Sequence, residues 1–111
     1  EVSDYTAAPI YMSQTGNGAH EWILEFNKAP ESLDQFMQEL DKALKMINSD
    51  YEAKRHKDIA LSMPIAHQMP SGGFSAWLKT KGKLGGQHKI PRLHNDRKIF
   101  DDILNFMKSA Y

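Results

Sequence analysis

Hydrophobic and polar positions along the chain change period several times, and each change marks an element. Residues Tyr5 to Met12 carry aromatic and β-branched side chains in an extended context, with Pro9 pointing to an edge strand or a bulge. Thr15-Gly16-Asn17-Gly18 is turn chemistry, because glycine and asparagine tolerate positive φ. In Glu21-Trp22-Ile23-Leu24-Glu25-Phe26, Trp22, Leu24 and Phe26 alternate onto one face. The two segments read as a hairpin. Pro30-Glu31-Ser32 then opens a helix, since the Ser32 hydroxyl can cap the Gln35 amide while the Gln35 side chain reaches back. Leu33, Phe36, Met37, Leu40, Leu44 and Ile47 recur every three or four residues, an apolar stripe about four turns long. Asn48-Ser49-Asp50 breaks it. Ser49 with Glu52 offers a second capping box for a short polar helix over residues 50–60, which carries Lys54, Arg55, His56 and Lys57 in succession.

Ile65 to Met69, bounded by Pro64 and Pro70, predicts a short strand with Ile65, His67 and Met69 on one face. Phe74, Trp77, Leu78 and Lys81 follow Ser71-Gly72-Gly73 at the spacing of a short amphipathic helix that Gly82 can end in the left-handed conformation. Asn95 or Asp96 can cap a last helix whose stripe is Ile99, Phe100, Ile103, Leu104 and Met107, with fraying expected beyond Met107. Strands and helices do not alternate strictly. The expected class is therefore α+β: a small mixed sheet of three to four strands covered by amphipathic helices. No internal repeat or low-complexity segment interrupts this order.

The length of 111 residues fits one domain, residues 1–111, large enough to bury a core without staples. Hydrophobic residues at 41% and charged residues at 25% exclude a disordered tail, a collagen-like repeat and a disulfide scaffold. No apolar run is long enough for a membrane span, and the first 30 residues hold no secretion signal. Zero cysteines exclude thiol catalysis and cysteine-ligated metals, and they fit a reducing compartment, with the cytoplasm as the default. The first residue is Glu1, not methionine, so a fragment of a longer chain is expected.

Charge sharpens the picture. Fourteen basic and fourteen acidic residues cancel overall, yet residues 1–50 hold nine acids and three bases while residues 79–98 hold seven bases and one acid. Lys79, Lys81, Lys83, Lys89, Arg92, Arg97 and Lys98 make up that positive stretch, interrupted by Gly82, Gly85, Gly86 and Pro91. Backbone amides of a glycine-rich loop beside ammonium and guanidinium groups can surround a phosphate or a similar anion. Solvated loop residues are the plainer explanation on charge alone. The loop lacks the order of a Walker phosphate loop, and Gly16-x-Gly18 is no dinucleotide fingerprint, since Glu21 occupies the place of the third glycine. Arg92 follows Pro91, which fixes the backbone before it; its planar fork suits a carboxylate or phosphate, or a salt bridge to the acidic first half. Lys98 falls at the amino end of the last helix, where anions bind and a lysine either reaches water or helps hold one. The five histidines have no metal-ligand spacing. His67 on a strand face reads as a hydrogen-bonded core residue, and Trp22 and Trp77 as core before stacking platforms.

Several segments resemble one family. They are Ala19-His20-Glu21-Trp22-Ile23-Leu24-Glu25-Phe26, Asn48-Ser49-Asp50-Tyr51-Glu52-Ala53-Lys54-Arg55, Phe74-x-x-Trp77-Leu78-Lys79-x-Lys81-Gly82-Lys83 and, most specifically, Gly85-Gly86-Gln87-His88-Lys89-Ile90-Pro91-Arg92. Together they look like the C-terminal domain of the auxin-responsive acyl-acid-amido synthetases, which are adenylate-forming enzymes. The lysine-rich wording and the absence of cysteine are closer to bacterial members than to plant ones. The resemblance implies a domain that acts as a lid on a larger N-terminal adenylation domain. It also implies a two-step reaction using ATP and Mg: a carboxylic acid attacks the α-phosphate to give an acyl-adenylate and pyrophosphate, then an amino acid displaces AMP to form an amide. Most of the nucleotide, Mg and acyl-acid pockets would lie in the N-terminal domain. Lys98 matches the family lysine that approaches the phosphates and is the expected catalytic residue. Gly85, Gly86, Gln87, Lys89 and Arg92 match the motif expected to bind the nucleotide, with Lys89 and Arg92 also able to pin the loop. His88 departs from the aromatic residue of plant relatives. The alternative function is a nucleic-acid-binding or protein-interaction module using the basic loop 79–98; even overall charge and the lack of interleaved aromatics count against nucleic acid.

Overall fold

A computed structural model of the chain describes residues 2–11, 17–56, 61–81, 92–93 and 97–110. The elements run β1 (Val2–Ile10), β2 (Ala19–Phe26), α1 (Leu33–Ile47), α2 (Ser49–Arg55), β3 (Ile65–Met69), α3 (Gly73–Thr80) and α4 (Lys98–Ala110). The sheet order is β1-β2-β3: β1 pairs antiparallel with β2, and β3 pairs parallel with it. A parallel neighbour requires a crossover, and α1 with α2 supplies it. The fold is thus α+β, with a three-stranded mixed sheet.

The central strand β2 is buried on both faces, and its alternation sorts the core into two. Leu24 and Phe26 pack with Met37 of α1, and Val2, Tyr5, Trp22, Phe36 and Leu40 close around them. Phe26 meets Phe36 edge to face at 5.2 Å between ring centroids, a geometry that aromatic quadrupoles favour. On the opposite face Ile23 joins Ala8, Met69, Phe74, Trp77, Phe100 and Ile103, which brings α3 and α4 against the sheet. The expected face of Trp22, Leu24 and Phe26 is therefore one of two covered faces.

Helix ends follow local chemistry. Ser32 accepts a hydrogen bond from the Gln35 amide at 3.2 Å, as its position predicts. The α2 cap is Asn48, not Ser49: the Asn48 side chain accepts from the Tyr51 amide at 3.1 Å, and Ser49 is already helical. Asn48 wins because its extended backbone also ends α1, its amide donating to the Leu44 carbonyl. The helix reaches Arg55, and residues 57–60 of the expected span lie outside the described residues. It is not wholly polar, since Tyr51 and Arg55 are buried. At α3, Gly72 takes φ +81°, a conformation natural to glycine. With no side-chain cap available there, Glu25 of β2 accepts from the amides of Gly72 at 3.2 Å and Phe74 at 3.1 Å.

Three further expectations shift. The first strand begins at Val2 and ends at Ile10 instead of spanning Tyr5 to Met12; its pairing with Phe26 draws it back to Val2. Ile47 is 80% exposed although it continues the α1 stripe to the last residue of the helix. The last helix holds its turns to Ala110 instead of fraying after Met107, with Ser109 bonded back to Asn105 and Phe106. Thr15, Gly16, Gly82, Asn95 and Asp96 lie outside the described residues.

Candidate functional site

The end of the basic stretch is fastened to the outer edge of β1. The Ala7 amide donates to the Arg92 carbonyl at 2.9 Å, and Leu93 forms a parallel bridge with Ala7. Pro9, which has no amide to offer, receives a side chain instead: Arg97 donates to its carbonyl at 3.0 Å. Two strand residues cover roughly 7 Å, so the anchors of Arg92 and Arg97 are about one side-chain length apart along β1.

Arg92 is more than half exposed, with its guanidinium 4.8 Å above the Tyr5 ring and 3.6 Å from the Asp4 carboxylate. Both readings of this residue therefore have a physical basis. Its contacts with the acidic first strand pin it, while its accessible fork can still meet an anion. The same residue rims a cavity of about 390 Å³ between the β1–β2 hairpin and α1, bounded also by Val2, Tyr5, Trp22, Phe36 and Leu40. Among the described residues the buried indole nitrogen of Trp22 meets no hydrogen-bond partner.

Lys98 is the first residue of α4 and is exposed. The preceding residue, Arg97, accepts the Asp101 amide on its carbonyl at 2.8 Å, which starts the helix. Lys98 thus stands at the helix end where the dipole favours negative charge. Gly85, Gly86, Gln87 and Lys89 lie outside the described residues. Of the expected site, Arg92 is tied to the edge of β1, and Lys98 follows Arg97, whose side chain reaches the same strand. Arg92 and Lys98 supply cationic donors suited to phosphate oxygens. Among the described residues no group of three or more acidic or histidine side chains is placed to hold a metal ion.

Two polar clusters escaped the sequence reading. In the first, buried Asp41 of α1 accepts from Arg55 Nε at 2.8 Å and Nη2 at 2.9 Å and from the Tyr51 hydroxyl at 2.5 Å. Hydrogen bonds from Arg55 hold the Asp41 carboxyl far below the usual carboxylate range, and burial pushes the Tyr51 hydroxyl up. The signal available was an acid four residues after Met37, on the apolar stripe. In the second, Glu21 of β2 receives Arg97 Nη2 at 2.6 Å on one oxygen and faces His67 Nε2 at 2.5 Å on the other. His67 is accordingly a hydrogen-bonded strand residue at about one-third exposure. Nothing in the alternation of β2 announced that Glu21 would be buried.

The architecture is similar to solved acyl acid amido synthetases. A structure described as GH3.15 acyl acid amido synthetase matches with a TM-score of 0.69 and 14% identity over 97% of this chain and 19% of its own. AtGH3.15 acyl acid amido synthetase in complex with 2,4-DB gives 0.68 and 15% over 97% and 20%. This chain therefore spans about a fifth of those proteins. No curated protein matches the sequence significantly. The family model described as the GH3 family C-terminal domain matches residues 1–98, which takes in β1 through the first residue of α4, and the chain belongs to that family.

Proposed function

We propose that this domain is the C-terminal lid of an ATP-dependent acyl-acid amido synthetase, with an N-terminal adenylation domain in the same parent chain. The observation that carries the reading is the family match over residues 1–98, joined to a fold shared with proteins five times longer whose names state this activity. The reaction activates a carboxylic acid by forming a bond from its oxygen to the α-phosphorus of ATP, releasing pyrophosphate; the amine of an amino acid then attacks the acyl carbon, and AMP leaves. Lys98 carries the catalytic role. Its ammonium and the amide end of α4 stabilise charge building on the phosphate oxygens, and a preorganised cation acts there without reorganising water. Arg92, Lys89 and the amides of Gly85, Gly86 and Gln87 hold the nucleotide from the lid side. Mg and most of the acyl-acid pocket belong to the N-terminal domain.

The edge of β1 supports the lid reading. Arg92 and Lys98 are delivered by segments tied to one strand, so the domain can present both by moving as a body. No helix among the described residues is long and apolar enough to cross a membrane, and the absence of cysteine fits the cytoplasm. The test is amide formation by the full-length parent across a panel of carboxylic acids and amino acids, with the 111-residue chain alone as control. ATP-dependent product from the parent and none from the control supports the lid reading. Product from the isolated chain, or none from the parent on any pair, overturns it.

A further inference from the structure

The turn that delivers Lys98 is held by a carboxylate on the covered face of the sheet. Glu21 is 7% exposed. Its Oε1 accepts from Arg97 Nη2 at 2.6 Å, and its Oε2 faces His67 Nε2. Arg97 also donates from Nη1 to the Pro9 carbonyl at 3.0 Å and from Nη2 to Asp101 Oδ1 at 2.8 Å, and its guanidinium lies 5.0 Å from the centre of the fully buried Phe100 ring. One side chain thereby joins β1, β2 and α4, and Glu21 extends the tie to β3 through His67. Arg97 immediately precedes Lys98. Whatever fixes the Arg97 guanidinium in this fork also fixes the direction in which α4 leaves the sheet.

Electrostatics adds a reason for the carboxylate. Two successive cations at the amino end of a helix oppose its dipole, and Glu21 and Asp101 offset the charge of Arg97. A buried ion pair is weak evidence for net stability and is better suited to selecting one geometry, and a planar fork selects direction as well as distance. We infer that Glu21 is a positioning residue: acting through Arg97, it sets the first turn of α4 and hence the place of Lys98. The inference rests on the role of Lys98 given under Proposed function.

The experiment measures acid-dependent ATP–pyrophosphate exchange by the full-length parent and four variants: Glu21→Gln, Arg97→Lys, Lys98→Ala and the double variant Glu21→Gln/Lys98→Ala. Misplacing a charge by about an ångström can cost up to about a hundredfold in rate. Glu21→Gln and Arg97→Lys are therefore expected to lower kcat for exchange by about tenfold or more, with KM for the acid within about twofold. The double variant is expected to be no slower than Lys98→Ala, because a group acting through Lys98 has nothing to act on once the lysine is gone. Full exchange by Glu21→Gln beside a slow Lys98→Ala overturns the inference and leaves the role of Lys98 intact. Multiplying losses in the double variant also overturn it, since Glu21 then acts by another route. A silent Lys98→Ala removes the role of Lys98 and this inference with it. Should Glu21→Gln not fold, Arg97→Lys alone and combined with Lys98→Ala carries the same comparison.

Discussion

Removing the Asp41 carboxylate should cost this domain a large share of its stability. Asp41 and Arg55 side chains are each only 7% exposed. The carboxylate takes two hydrogen bonds from Arg55 and one from Tyr51, and Lys45 lies 3.2 Å away. Asp41→Ala leaves the Arg55 guanidinium buried without its carboxylate partner, the Leu61 carbonyl and the Met63 sulfur being among the acceptors that stay. Stranding one member of a buried pair costs about 3–5 kcal/mol, against a total of about 5–15 kcal/mol for a domain of this size. Urea unfolding of the 111-residue chain, followed by Trp fluorescence, reads the loss as a lower midpoint at unchanged slope. A cycle with Arg55→Ala isolates the pair, and the double variant should recover about 2 kcal/mol or more of the summed single losses. A loss below about 1 kcal/mol for Asp41→Ala, or strict additivity in the cycle, would refute the reasoning. The acid dependence has a definite sign. The folded pKa of Asp41 is depressed, so its contribution is present above the unfolded value near 4 and lost as pH falls through the folded one. The contribution should therefore persist at pH 5 and vanish only in strong acid.

His20 should act with the same sign in a higher pH window. Burial, and then the nearby Lys54, lower its pKa, while its ring stacks on Tyr51 at 5.7 Å. The folded state favours the neutral ring, so the chain should lose stability as pH falls below about 6.5, and urea midpoints of His20→Gln should fall less between pH 7 and 5; equal slopes would contradict this. Gly73→Ala should destabilise by about 1–3 kcal/mol despite the better helix former. A Cβ there would come within 2.5 Å of Met69 Cγ and meet Met69 Sδ, in a side chain only 1% exposed. Pairing it with Met69→Ala should recover part of the loss against Met69→Ala alone, and an unchanged thermal midpoint for Gly73→Ala would show that the core yields there.

Periodicity revealed the elements because most of them bury one face and carry the pattern that burial imposes. The Ser32 cap, the α1 stripe, the hairpin and the short third strand all follow from spacing that backbone geometry imposes. Burial of charge leaves no such trace. Asp41 and Arg55 lie fourteen residues apart and Glu21 and Arg97 seventy-six, and only the folded arrangement shows that each has a partner. Ile47 shows the converse, an apolar residue in register with the stripe yet exposed at the end of α1. The site was legible in part. Composition exposed a cationic stretch and the glycine-lysine-proline-arginine wording pointed to a family, but the attachment of Arg92 and Arg97 to β1 depends on a strand more than eighty residues earlier.

The central claim is that Lys98 serves acid activation in a longer ligase. Acid-dependent ATP–pyrophosphate exchange by the full-length parent, wild type against Lys98→Ala, tests it most directly. Losing one preorganised cation at a developing phosphate charge should cost roughly 2.7–4 kcal/mol, a hundredfold or more in rate. Exchange that requires the acid and falls that far in the variant is the predicted result. Exchange at the wild-type rate without Lys98, or no exchange with any acid, would contradict the account.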